Sequence, residues 1–331
     1  MVIKTIKLVN FRSHDIYKLE CKDMTSLILG ENGSGKTSVL EAIYIAMRGK
    51  SFKAVDKEIL KYGTDYYQIE IVYQNNEKVI INYNGSKKQF LIKEKKFGRL
   101  PRKDRYPVVL FEPNDLNLIN SSPTKKRDYF DRIFTDLNEK YNNSLSRYNK
   151  TLKQRNEALK NDFLRREDLF SWNIMLARYG FLIKEERKKN INKINELIND
   201  YYNSIAENND KVKINYTYND IDESEYLRCL ENDFEKDKIT GYTNFGIHKD
   251  NYIFNFNQVD ASGVASRGEI RSIILALKFI EARLLFEENK QKPLILLDDV
   301  FSELDNKRQK CLVQNFKDHQ VILTSVNGVE F

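Results

Sequence analysis

Eight consecutive residues, Gly30-Glu31-Asn32-Gly33-Ser34-Gly35-Lys36-Thr37, constrain this chain more tightly than any other stretch. Glycines at 30, 33 and 35 admit positive-φ backbone, so several amide hydrogens can converge on one anion where a helix begins. Lys36 adds a point charge for the outer phosphates of a nucleotide, and the Thr37 hydroxyl is a ligand for Mg2+. The flanks have the periodicity such a loop needs. Residues 27–29 read as a short buried strand, and residues 36–48 carry Val39, Leu40, Ile43, Ile45 and Met47 on the spacing of a mostly buried helix. The loop residues Glu31, Asn32, Ser34 and Ser38 are expected among the nucleotide contacts.

A second motif near the other end of the chain completes the first. Residues 294–297, Leu-Ile-Leu-Leu after Pro293, form the continuous apolar run of a central strand in a parallel sheet, and Asp298 and Asp299 follow it. Carboxylates at the carboxyl end of such a strand lie where ligands bind in open α/β sheets. Asp298 is expected to organise Mg2+ and Asp299 to polarise an attacking water, with Lys36 as the third member of the catalytic set. Ahead of this strand, Ser266-Arg267-Gly268-Glu269 opens a helical stretch over 270–288. Two readings of that tetrapeptide stand side by side: a capping box with Ser266 as N-cap and Glu269 reaching back, or an anion site of hydroxyl and free amides.

Proline and glycine divide the chain. The five prolines fall at 101, 107, 113, 123 and 293, and from 124 to 240 the only glycine is Gly180. The sequence therefore predicts an α/β nucleotide-binding core over 1–122 and 240–331, interrupted by a mainly helical arm over 123–239. Residues 140–160 and 176–198 have the amphipathic spacing of two long antiparallel helices. Alternation at Val212, Ile214, Tyr216 and Tyr218, and again at Tyr252, Phe254 and Phe256, predicts strands.

Charge concentrates in one place. Residues 87–105 hold nine basic side chains (Lys87, Lys88, Lys93, Lys95, Lys96, Arg99, Arg102, Lys103 and Arg105) against Glu94 and Asp104. That surplus of seven equals the net charge of the whole 331-residue chain, +7. Such a cluster is the footprint of contact with a nucleic-acid backbone, or else a solvated hairpin whose lysines protect a sheet edge. No apolar run reaches 18 residues and the start lacks a signal-like apolar core, so a cytoplasmic protein without membrane contact is expected. Cys21, Cys229 and Cys311 are odd in number and widely spaced, which suits reduced thiols and offers no zinc pattern.

The order of motifs, with Ser302-Glu303-Leu304-Asp305 following the acidic pair as a D-loop, matches ABC-type ATPases. Several further segments resemble one family of that kind, the RecF proteins of bacterial DNA replication and repair, related to Rad50 and SMC heads. They are Leu8-Val9-Asn10-Phe11-Arg12, Leu40-Glu41-Ala42-Ile43, residues 109–116 with Ser122, Pro123 and Arg127, Gln154-Arg155-Asn156, Trp172 with Leu176 and Gly180, and residues 246–250. Ile247, Lys249 and Arg267 replace the family's usual proline, arginine and glutamine. The resemblance implies an ABC-type ATPase head with a helical, coiled-coil-like insertion, ATP and Mg2+ as ligands, and Arg12 among the nucleotide contacts. It also implies an ATP-dependent homodimer in which Ser266, Arg267, Gly268 and Glu269 complete the partner's site, slow hydrolysis, and binding of double-stranded or gapped DNA. The implied role is recombinational repair, assisting RecA loading alongside RecO and RecR. Two alternatives share the nucleotide motifs: a transporter ATPase subunit, which usually carries a histidine where Ser325 stands, and a true SMC or Rad50 head, which needs longer coiled coils.

Overall fold

In the computed structural model, which describes residues 2–326, the chain forms two compact units. The first comprises the chain up to Asp115 together with the chain from Glu281 onward; the second is Leu116–Ile280.

In the first unit, β1 (Ile3–Phe11), β2 (His14–Glu20), β3 (Thr25–Leu29), α1 (Lys36–Arg48), α2 (Asp56–Ile59), β4 (Tyr67–Tyr73), β5 (Lys78–Tyr83), β6 (Lys88–Ile92), β7 (Lys95–Phe97) and β8 (Val108–Phe111) follow one another. Six of these strands make an antiparallel sheet in the order β2-β1-β4-β5-β6-β7. The alternation of β4, buried at every second residue from Tyr67 to Tyr73, is the signature of one face on a core and one in water. Lys93 and Glu94, both at positive φ, make the tight turn that joins β6 to β7.

The second unit carries α3 (Pro123–Leu137), α4 (Glu139–Ala158), α5 (Phe170–Ala206), β9 (Val212–Thr217), α6 (Glu223–Asn232), α7 (Phe234–Thr240), β10 (Asn251–Phe256), β11 (Val259–Asp260) and α8 (Ala261–Val264). From it α9 (Arg267–Asn289) leads back into the first unit, where β12 (Leu294–Leu297), α10 (Asn306–Phe316) and β13 (Val321–Ser325) complete a parallel sheet of order β3-β13-β12-β8. Every residue of β12 and of β13 is buried, as expected of strands covered on both faces. Helix α1 lies in the hydrophobic core shared by the two sheets of this unit, with Val39, Leu40, Ala42, Ile43 and Ile45 fully buried.

The boundaries differ from those expected. Among the described residues strands β9, β10 and β11 pair only with each other, and this small sheet and the Ser266 segment that follows it belong to the second unit. The helical arm is thus one part of an α/β body.

Two buried arginines hold that body together. Arg155 on α4 donates to Asn173 Oδ1 at 2.8 Å, Asp237 Oδ2 at 2.7 Å and Thr243 Oγ1 at 2.7 Å, and the pair with Asp237 is wholly buried. Arg187 on α5 donates to Asp131 at 2.8 Å, to Asp250 at 3.2 Å and to the Ile247 carbonyl at 2.9 Å. Removing one member of such a set strands a charge in the interior, at a cost of about 3–5 kcal/mol. Gly246, at φ 135, leaves only 2.5 Å between a would-be Cβ and the hydroxyls of Tyr148 and Tyr226, so no other residue fits this close approach. Next to it the His248 ring lies between the Tyr148 hydroxyl, 2.8 Å from Nδ1, and the Thr243 carbonyl, 2.9 Å from Nε2.

Burial pushes the His248 imidazole down from 6.5 to about 4. The ring is therefore neutral in the folded protein at pH 7. As pH falls from about 6.5 towards 4, the unfolded chain takes up a proton that the folded one refuses, so stability is complete above that window and is lost through it, with an upper bound of about 3 kcal/mol. His248→Gln is expected to flatten this part of the pH dependence. Thermal unfolding of both proteins between pH 7.5 and 4.5 measures it, and parallel curves would remove His248 as the source.

Candidate functional site

The parallel sheet places the two motifs side by side. Strand β13 pairs with β3 on one side and β12 on the other, so the loop that leaves β3 and the acid pair that leaves β12 emerge from the same sheet end with one strand between them. Neighbouring strands lie about 4.8 Å apart. That spacing brings Thr37, at the second position of α1, onto Asp298: Oγ1 donates to the carboxylate at 2.8 Å and 2.9 Å from its two oxygens. The intervening strand adds Thr324, whose hydroxyl donates to Asp298 Oδ1 at 3.0 Å and accepts from the Asp299 amide at 2.9 Å. Burial pushes the Asp298 carboxyl up from its usual range, opposed by the hydrogen bonds from Thr37 and Thr324.

The phosphate loop is shaped by two different glycine requirements. Gly33 and Gly35 have φ of 85° and 92°, as expected. Gly30, expected at positive φ as well, is not there; a Cβ on it would meet Ser34 Oγ at 2.5 Å, so its role is close approach within the loop. A Cβ on Gly35 would meet His14 Nε2 at 2.5 Å and Ser13 Oγ at 2.7 Å. The turn after β1 therefore rests directly on the loop. Lys36 is 5 % exposed, and its ammonium donates to the carbonyls of Gly30 at 2.8 Å and Glu31 at 3.1 Å, with Asp299 Oδ2 at 3.7 Å. Asp299 sits at φ 51, and its Oδ1 is buried with no hydrogen-bond partner among the described residues.

These groups border a cavity of about 480 Å³. The loop residues Asn32, Gly33, Gly35, Lys36, Thr37 and Ser38 line one part, and Asp299 also reaches it. Arg12, Ser13, Lys53, Glu58 and Leu60 line the rest. Of these five, only Arg12 is expected from the sequence; Lys53, Glu58 and Leu60 sit in the segment around α2, where no motif marks them. The residues present fit a nucleoside triphosphate with a divalent cation: a positive-φ cradle, a buried ammonium, a hydroxyl and carboxylate already in contact, and one orphaned carboxylate oxygen.

The other expected site residues divide between the units. Ser302 and Glu303 follow Asp299 in a 3₁₀ turn, with Ser302 Oγ donating to the Asp299 carbonyl at 2.9 Å; Leu304 is buried and Asp305 caps α10. In the second unit, Ser266 and Arg267 are at the start of α9, and Gly268 and Glu269 follow in its first turn. Ser266 and Glu269 form the capping box: the Ser266 amide donates to the Glu269 carboxylate at 2.6 Å, and the Glu269 amide donates to Ser266 Oγ at 3.3 Å. Because the cap uses that hydroxyl as an acceptor, its O–H remains a donor for another group.

The basic cluster lies on β6, β7 and the segment before β8. Lys88 is taken up by Asp56 at 2.7 Å and is 13 % exposed, and Lys93 pairs with Glu77 at 2.7 Å. Lys87, Lys95, Lys96, Arg99, Arg102, Lys103 and Arg105 are exposed. Lys95 and Lys96 stand on β7, the edge strand of the six-stranded sheet.

Residues 5–206 match the AAA domain family. The DNA replication and repair protein RecF of Agathobacter rectalis is 34 % identical to this chain over 100 % of it and 94 % of that relative. The chain belongs to the RecF family. A solved structure of the recombination mediator protein RecF-ATPrS in the RecFOR pathway superposes with a TM-score of 0.87 at 28 % identity, covering 98 % of this chain and 92 % of that one. An SMC head bound to the C-winged helix domain of ScpA matches with a TM-score of 0.53 at 14 % identity, over 99 % and 90 % of the two chains, which shows the shared fold alone. This RecF-family chain therefore has the ABC-type ATPase head fold and is an ATPase of DNA replication and repair. The transporter reading falls away with that membership. Among the described residues no helix is long and apolar enough to cross a membrane.

Two substitutions probe the cradle. Lys36→Ala removes the buried ammonium at its centre, and nucleotide affinity is expected to fall on the order of a hundredfold, the scale of removing charge-assisted hydrogen bonds. Gly35→Ala meets both a positive φ and the His14 ring, and is expected to match that effect. Titration with a fluorescent ATP analogue measures both, and wild-type affinity in Lys36→Ala would place the nucleotide elsewhere.

Proposed function

We propose that this protein is an ATP-dependent DNA-binding protein of recombinational repair, acting in the cytoplasm as a dimer closed by nucleotide. The observation that carries the reading is the division of labour between the units: one holds a complete phosphate cradle with its acidic pair, and the other presents Ser266 with a spare hydroxyl donor at the exposed start of α9. In this reading Gly30–Ser38 hold ATP, with Glu31, Asn32 and Ser34 shaping the loop. Thr37 and Asp298 are the residues that would hold Mg2+, which would supply positive charge against the outer phosphates. Lys36 binds the outer phosphates. Asp299, whose second oxygen has no partner, orients a water for attack and takes its proton.

Two copies then meet so that Ser266 and Gly268 of one approach the nucleotide of the other, with Arg267 and Glu269 framing the helix start. The D-loop Ser302, Glu303, Leu304 and Asp305 lies beside the acidic pair, where a facing copy can be sensed through the Ser302 contact to Asp299. Contacts made only in the closed pair let ATP shift the balance between one copy and two. The exposed cations Lys87, Lys95, Lys96, Arg99, Arg102, Lys103 and Arg105 supply a duplex-backbone contact without base readout, while Lys88 and Lys93 fix the hairpin through Asp56 and Glu77. Duplex or gapped DNA, RecO and RecR are the proposed partners, and RecA loading the proposed outcome. Hydrolysis is slow in this reading because the cradle, complete for binding, lacks the second copy's Ser266 until the dimer closes.

Analytical ultracentrifugation with ATP, a non-hydrolysable analogue and ADP tests the dimer. The expected outcome is a twofold mass with the first two and a single copy with ADP. Ser266→Ala is expected to keep nucleotide affinity and abolish the dimer; an equal effect on both would refute a shared site.

The DNA surface has its own test. Reversing Lys95, Lys96 and Arg99 to glutamate is expected to weaken duplex binding and to lower the slope of log affinity against log salt by about 0.9 for each phosphate that is no longer neutralised. A slope identical to wild type would move the DNA surface away from β7.

A further inference from the structure

The nucleotide cavity has a wall that no motif accounts for, and one buried carboxylate organises it. Glu41 lies one turn after Thr37 on α1 and is 1 % exposed, in a helix whose other inward residues are almost all apolar. An isolated carboxylate at such depth is strongly unfavourable, so its partners define why it is there. Arg12 clasps it from one side, Nε donating to Oε2 at 2.9 Å and Nη2 to Oε1 at 2.8 Å. Ser51 donates to Oε1 from another side. The Ser51 oxygen in turn accepts the amides of Lys53 at 2.8 Å and Ala54 at 3.0 Å, which ties the loop that carries Lys53 to the same carboxylate.

Both groups so held face the cavity. Arg12 stands at φ 54 and spends a third donor on the Glu58 carbonyl at 2.9 Å, which anchors the α2 segment as well. A guanidinium has five N–H donors, so two remain after these contacts, and Arg12 borders the cavity. Lys53, Glu58 and Leu60 border it too. The phosphate loop and this wall are therefore both fixed to α1, the first through Gly35 and Thr37 at its start and the second through Glu41.

We propose that Glu41 is a positioning residue of the nucleotide cavity: through Arg12 and Ser51 it sets the wall that receives the nucleoside end, so that the site distinguishes ATP from a bare polyphosphate. The inference rests on the assignment of this cavity to ATP. A carboxylate is needed because only a two-oxygen acceptor satisfies the paired donors of Arg12 and still accepts from Ser51. Glutamine at this position offers one oxygen and an NH₂ group that would face the guanidinium, which breaks the clasp and frees the loop.

The test compares ATP with inorganic tripolyphosphate by calorimetric titration of wild type, Glu41→Gln, Arg12→Gln, the double variant and Ser51→Ala. Glu41→Gln is expected to weaken ATP on the order of tenfold, the scale of one charge-assisted clasp, and to leave tripolyphosphate within about twofold of wild type. The double variant is expected to fall short of the sum of the two single effects, because part of what Glu41 does passes through that arginine and only the Ser51 arm is separate. Ser51→Ala, which leaves the Arg12 clasp in place, is expected to lower the ATP preference in the same direction and decides the matter if Glu41→Gln does not fold. Equal weakening of ATP and tripolyphosphate, or additive effects in the double variant, would overturn the proposal. If wild type shows no Lys36-dependent ATP binding at all, it is the assignment of the cavity that fails.

Discussion

The hydrogen bond from Thr37 to Asp298 joins side chains 261 positions apart, and the rest of the nucleotide site depends on it. It exists because β13 is inserted between β3 and β12 and contributes Thr324 as the middle link. Without that strand order the glycine loop would still bind an anion, as helix N-termini do. It would have no carboxylate beside it, and nothing to distinguish a nucleotide able to react from a passive counter-ion. The amide of Gly30 donates to the Ser325 carbonyl at 3.3 Å, so β13 also anchors the first residue of the loop. One strand thus sets the distance between the two chemical halves of the site.

In the second unit the constraint is burial of charge. The segments that most specifically resemble the RecF family in the middle of the chain are the parts of one polar lock. Arg155 meets Asp237 and Thr243; Asn156 Oδ1 accepts from both the amide and the hydroxyl of Thr243; and Arg187 meets Asp131, Asp250 and the Ile247 carbonyl. Gly180 belongs to the same set, since a Cβ there would lie 2.6 Å from the ring of Tyr226. An arm built from two polar-rich helices has little apolar surface to bury, and a fully satisfied network fixes their register against β10 where packing alone would not. These residues belong to the architecture of the unit and line no part of the nucleotide cavity.

How much of this is legible in the sequence depends on whether a residue's reason is local. The extent of α1 can be read because strand, loop and apolar spacing announce it within a short span, and the parallel strand at 294–297 because an unbroken aliphatic run has few other uses. Gly30 is misleading because close approach to Ser34 and positive φ leave the same mark in a sequence. Lys88 and Lys93 cannot be told from their neighbours, since the acids that pair with them, Asp56 and Glu77, lie on other segments. Thr324 sits in a strand-forming run and reads as a core residue, although its hydroxyl links both catalytic candidates. Glu41 carries no local signal of its partners: Arg12 comes from the preceding hairpin, and Ser51 from the loop after the helix.

The charges inside the cradle lead to one more consequence. Lys36 reaches both the loop carbonyls and Asp299, and Asp299 stands next to a second carboxylate, Asp298. The charge of Asp299 is among the influences that push the Asp298 carboxyl upward, so the two acids already repel each other. A triphosphate brought to this loop adds several negative charges close to that pair, in a partly buried setting where such repulsion is poorly screened. A single lysine cannot offset both. A divalent cation at Thr37 and Asp298 would turn the repulsion into attraction, so in the proposed mechanism the metal is a condition of tight binding before it is an aid to hydrolysis. The same reasoning explains why the Thr37 hydroxyl is held on Asp298: the contact keeps two prospective metal ligands together while giving the buried carboxylate a partner.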